Sequence, residues 1–309
     1  MNKWFYCILL MVFTSCTWNM NYFPKGDYRN KDLFENTPAK ELINAIEKDS
    51  YNGVKKICED DTSLVNFQES VYGICPLICA IGMAKYNAAK ALIESGANPN
   101  LKSFIGTSPM FEAVSYRWYD TQIKCDTIYL KLLLSYGGDP NSIYKESEIE
   151  KDEGEVSVVP DGTSLLMYAI DYSDGFPYVR ILVEAGADIE YRTKFGRTAA
   201  IEALLMEDLE SAHYLIVEKK AQVKDVYYVG ETDSPPSPKL DDPRDPVNLL
   251  LVMTYERDTR KYQLKMDIVK EFENQGVDYQ HRKKFIDKGT LYHIKHLHPN
   301  DWKDYIEMY

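Results

Sequence analysis

No apolar run in this sequence is long enough to cross a bilayer: the stretch Trp4–Phe13 near the start falls far short of the ~20 residues a spanning helix requires. GxSxG, HExxH, GxxxxGK[ST] and GxGxxG in context are also missing, which leaves no nucleophile elbow, zinc-binding helix or phosphate cradle to assign. Histidine is scarce, at five residues, and the closest cysteine pair, Cys75 and Cys79, is spaced wider than the CxxC of redox and zinc motifs. Basic side chains are in deficit, 36 against 48 acidic, giving a net charge of −12. No compact Lys/Arg block offsets that field, so nucleic acid is not expected as a partner, and a charged partner should be basic. What is present is ordinary for a folded chain: 45% hydrophobic and 27% charged over 309 residues, enough for one large or two smaller domains.

The first residues, MNKWFYCILLMVFTSC, place Lys3 before a short apolar core and then Thr14, Ser15 and Cys16. That is the length and order of a secretory signal. Small residues before a cysteine resemble the lipobox of bacterial lipoproteins, although Phe13 stands where the family prefers Leu. The resemblance implies lipid attachment at Cys16, a signal peptide over 1–15, a tether over 16–37, and anchoring to a membrane surface without crossing it. By likeness to enterobacterial sorting, Thr17 after the cysteine points to the outer membrane. An uncleaved anchor and a buried apolar segment are the alternatives. The four cysteines that would remain in the folded part, Cys58, Cys75, Cys79 and Cys125, are expected as buried thiols.

Internal repetition decides the fold class. GICPLICA (73–80), GTSPMFEA (106–113), GTSLLMYA (162–169) and GRTAAIEA (196–203) align without gaps, with Gly first and Ala eighth. Downstream of them come LIESGANPN, LLLSYGGDPN, LVEAGADIE and a worn copy, IVEKKAQVK. The opening glycine suits a tight hairpin tip, Ser or Thr two residues on suits a helix cap, and Pro76 and Pro109 suit a first turn. Alanine permits close helix approach, and Gly96, Gly137 and Gly186 suit a helix stop at positive φ. This pairing of a GxTPLHxA-type start with an LLxxGADxN-type end resembles the ankyrin repeat.

The resemblance implies an all-α solenoid of five to six repeats over 38–280, weaker at both ends, with capping helices over 281–309. Departures from the repeat spacing locate insertions near 116–125, 144–158 and 225–246. It further implies a non-catalytic module that binds another protein through hairpin tips and a concave helical face, without cofactors or catalytic residues. Some ankyrin-repeat lipoproteins sit beside secreted lipase effectors, so an immunity or accessory protein that neutralises a toxic effector is the sharpest reading. A structural envelope scaffold is the alternative.

Aromatic side chains in loops are the expected contact residues, because Tyr and Trp bury large areas at little entropic cost. Tyr116, Trp118 and Tyr119 fall in the first insertion, Tyr172 near a helix turn, and Tyr191 and Phe195 at a hairpin. The acidic run 146–155 reads as a solvated finger. His293, His296 and His298 form a weak candidate for metal, lacking a signalled fourth ligand; a solvated or helix-terminal cluster is the plainer account.

Overall fold

Six helix pairs follow one another along the chain, each too short to bury its apolar side alone. The computed structural model describes residues 31–115, 127–145, 159–172, 175–228, 244–282 and 286–308, whose regular elements are helices joined by turns and loops, with two isolated β-bridges among them. The pairs are Lys40–Glu47 with Tyr51–Asp60, Pro76–Gly82 with Tyr86–Glu94, and Pro109–Ser115 with Ile128–Ser135. They continue as Leu165–Tyr172 with Phe176–Glu184, Ala199–Leu205 with Leu209–His213, and Val247–Val252 with Arg260–Asn274. First helices stack on first helices from end to end, while the second helices form a parallel layer. Between repeats three and four the first helices carry the seam, through the edge-to-face contact of Phe111 with Tyr168 at 5.1 Å. A shallow cleft of about 220 Å³ remains there, with Asn141, Leu166 and Tyr191 on its walls.

The repeat residues act locally as their chemistry dictates. Thr198 caps its helix by accepting from the Ile201 amide at 3.3 Å, and Ser164 does the same for Met167 at 3.2 Å. Pro76 and Pro109 open their helices, where a missing N–H costs nothing. The eighth-position residues Ala80, Ala113, Ala169 and Ala203 are all buried at helix crossings. Gly96, Gly137, Gly186 and Gly276 end the second helices at φ of 84–94°. In repeat five Lys220 takes this place at φ 63°, in the left-handed region that disfavours a side chain, and its ammonium reaches Glu271 at 2.7 Å. Repeat one needs no such residue, because its second helix ends in an extended Asp61.

A second device fixes the spacing between repeats. Asn66 donates to the Gly96 carbonyl at 3.1 Å and accepts from the Asn98 amide at 2.7 Å. Asn100 bridges Gly137 and Asp139 in the same way, at 2.9 and 2.8 Å, and Asn141 bridges Gly186 and Asp188, at 3.2 and 2.7 Å. Glu190 then accepts from Gln222, and Gln275 closes the series on Ala221 and Val223. Each closing turn is thereby tied to the turn of its neighbour.

The end of the stack is sealed by helices Tyr279–Arg282, Lys288–Leu297 and Trp302–Met308. Tyr305 is fully buried, donates to the Tyr255 carbonyl at 2.7 Å and lies under a stacked His298 ring at 3.9 Å. Burial pushes its hydroxyl up to about 12. Lys265, wholly buried behind it, donates to the Met253 carbonyl at 2.9 Å, and the same desolvation holds its pKa well below the usual lysine range. Cys58, Cys75 and Cys79 all lie in the core, and burial raises the Cys75 thiol to about 11, keeping it neutral; Cys125 lies outside the described residues.

The glycines separate two costs. A methyl group at Gly186 meets nothing within 4 Å, so Gly186→Ala should lower stability only by the left-handed backbone penalty, about 1 kcal/mol. At Gly106 the same methyl would fall 1.9 Å from the Lys145 carbonyl oxygen. Gly106→Ala should therefore cost about 3 kcal/mol or more in urea unfolding, a collision being added to the backbone penalty.

Candidate protein-binding edge

The hairpin between consecutive repeats closes through hydrogen bonds made within its own turn or neck. At the first tip the buried Glu69 carboxylate accepts from the amides of Val71, Tyr72 and Ile74, at 2.6, 2.7 and 3.0 Å. With its amides so occupied, the turn holds Val71 outward at 56% exposure. The second tip is a tight turn in which the Ser103 and Gly106 amides donate to Thr107 and Ser103 carbonyls. The third rises from an antiparallel neck, Tyr144 donating to Thr163 and Gly162 to Tyr144. The fourth repeats the tight turn at Thr193–Arg197, and the fifth rises from a neck between Tyr227 and Arg244.

Each tip leans on the one before. Phe104 donates its amide to the Tyr72 carbonyl at 2.9 Å, the Tyr144 hydroxyl to Ile105 at 3.1 Å, the Tyr191 hydroxyl to Gly162 at 2.8 Å, and the Tyr228 amide to Phe195 at 2.8 Å. The result is a continuous edge whose outward side chains include Val71, Phe104, Val226 and Tyr228. Tyr191 and Phe195 lie on this edge half-buried: Tyr191 packs on the core with its hydroxyl engaged, and Phe195 carries Lys194 over its ring at 5.0 Å. Tyr172 ends its helix, its side chain outside the description, and Cys16, Tyr116, Trp118 and Tyr119 lie outside the described residues. Val71, Val226 and the pinning role of Glu69 carry no motif in the sequence; only the meeting of three amides at one carboxylate marks Glu69.

Beside the fourth tip lies an electrostatic cluster. The Glu202 carboxylate is fully buried at the first helix of repeat five and is bonded by Arg197, while Asp171 approaches it from repeat four. Desolvation first, and then the neighbouring Glu202, push the Asp171 carboxyl well above the ordinary range, with Arg197 opposing. The Asp171 carboxyl therefore favours its protonated form. The C-terminal histidines do not converge: His298 is buried on Tyr305, whereas His293 and His296 face solvent on helix Lys288–Leu297. Among the described residues no group of three His, Cys, Asp or Glu is placed to hold a metal ion.

Against known proteins, the family described as ankyrin repeats (many copies) matches residues 165–216, from the first helix of repeat four through repeat five. This is an ankyrin-repeat solenoid. A search of curated proteins finds no match. The matched span holds the closing turn of repeat four at Gly186 and the opening turn of repeat five at Gly196, and the unmatched repeats stack on it through the same helix layers. Ankyrin repeats serve as protein-interaction modules, so the tip edge is the candidate contact surface.

Two measurements check this geometry. Glu69→Ala leaves three amides without their acceptor and should lower stability by about 2 kcal/mol in denaturant unfolding. Because Asp171 holds its proton more tightly when folded, this pair stabilises most below the unfolded carboxylate pKa of about 4 and loses that contribution as pH rises through the raised folded value. Asp171→Asn, neutral at every pH, should therefore raise the melting midpoint at neutral pH and gain progressively less as the solution is acidified.

Proposed function

We propose that this chain is a non-catalytic protein-binding module held at the bacterial cell envelope by a lipid on Cys16, on the periplasmic face of the outer membrane, and that it acts as an immunity or accessory protein for a secreted effector. The observation that supports binding is the tip edge: turns pinned by buried partners, bonded one to the next, and presenting Val71, Phe104, Val226 and Tyr228 to solvent. Rigid apolar tips lose little freedom on docking, which is what a tight interface requires. The net charge of −12 favours a basic partner. Envelope attachment rests on the signal-like start and Thr14-Ser15-Cys16.

Val71→Ser combined with Val226→Ser removes two outward side chains that the core does not use. Affinity capture from envelope and secreted fractions should then lose its main bound protein, with the melting midpoint unchanged; retention of that protein would move the contact off this edge. Cys16→Ala should abolish palmitate labelling and release the chain from membranes, and labelling that persists would end the anchor reading.

A further inference from the structure

We propose that the C-terminal cap carries a docking face for an anionic phospholipid surface, independent of any lipid on Cys16. Residues 281–309 hold six Lys and Arg against four Asp and Glu and four of the five histidines, a net-basic segment in a chain of net charge −12. Such asymmetry points to an anionic surface rather than to fold stability. Asp287 caps its helix through the Gly289 and Thr290 amides, at 2.7 and 3.0 Å, Asp301 accepts from Arg257 at 2.9 Å, and Glu307 is engaged as well.

Helix Lys288–Leu297 buries Thr290 and Ile294 against the stack and turns its other face to water. On that face Tyr292 is 69% exposed, the most open large apolar-bodied side chain among the described residues, with Lys288 and Lys295 on the same side at helical spacing. Lys295 places its ammonium 4.4 Å from the Trp302 ring centroid, and Lys303 approaches the same ring at 5.6 Å. Lys288, Lys295 and Lys303 pair with no carboxylate among the described residues. The patch is thus a line of uncompensated ammonium groups, Lys288, Lys295 and Lys303, interleaved with Tyr292 and Trp302.

Its composition favours lipid over protein. Interfaces between proteins deplete lysine and select arginine, whereas all three uncompensated cations here are lysines, compact charges suited to phosphate. Tyrosine and tryptophan beside lysine form the combination that settles at the headgroup level, with apolar ring bodies inward and charges in water. Each lysine within a Debye length of an anionic leaflet adds about fivefold to partitioning, so three give on the order of a hundredfold.

The full chain, with Cys16→Ala to remove acylation, is titrated into vesicles of pure phosphatidylcholine and of one part phosphatidylglycerol to two parts phosphatidylcholine. The N-terminal segment carries Lys3, Lys25 and Arg29 of its own, so the contribution of the cap is read from the change in the ratio of the two partition coefficients when the cap lysines are replaced. That ratio should be on the order of a hundredfold and fall to within a few-fold when Lys288, Lys295 and Lys303 are all changed to Gln. Tyr292→Ser should weaken binding to the anionic vesicles several-fold. Equal partition of the native chain, or a preference that survives the triple change, overturns the proposal. So does tighter, equally lysine-dependent binding to poly-glutamate, which would assign the patch to an acidic protein. Should the triple variant unfold, salt decides: a preference that added salt does not reduce overturns the proposal as well.

Discussion

A pair of short helices, five to fifteen residues each, exposes an apolar face that only another such pair can cover, and every other feature of this molecule answers to that constraint. The alanines at helix crossings set how close neighbours come, and the bridging side chains of Asn66, Asn100 and Asn141 set how they are offset. Where the series ends, the chain must supply a cover of different composition. It does so with a knot of Tyr255, His298 and Tyr305 over the last pair, and with Lys265 held beneath it.

Most of this order could be read from the residues themselves. Gly73, Gly106, Gly162 and Gly196 open the tips at positive φ, and Ser164 and Thr198 cap the helices that follow, because a backbone of unusual handedness or an unsatisfied amide narrows the choice of residue sharply. Less legible are features that depend on what a side chain meets across repeats. Glu69 looks like any polar loop residue, and Lys220 gives no hint that it takes a glycine's conformation. Nor does the sequence mark Lys265, a lysine that is wholly buried with its ammonium on the Met253 carbonyl. Of the loop aromatics, Tyr191 and Phe195 lie on the edge, and Tyr191 spends its hydroxyl on the preceding tip. Val71 and Val226, which stand farther out, are aliphatic and carry no motif.

The edge and the cap differ in how they are held. Tips are fixed by hydrogen bonds from one repeat to the next, two from backbone amides and two from tyrosine hydroxyls, so displacing one disturbs its neighbours. Helix Lys288–Leu297 is seated through the buried Thr290 and Ile294, and Lys288 and Lys295 on its outward face meet no carboxylate among the described residues. Contacts made at these two places need not be coupled, since stability in a stacked array is passed mainly between nearest neighbours.

The narrow necks at Tyr144–Thr163 and Tyr227–Arg244 have a consequence for how such a chain can diversify. Each closes with hydrogen bonds between two facing stretches of backbone, so the closure itself is made by residues of the array. Closure entropy grows with the logarithm of loop length, about 0.6 kcal/mol for each doubling. Segments of new length and charge can therefore be exchanged at these two sockets, altering what the molecule recognises while its scaffold is inherited unchanged.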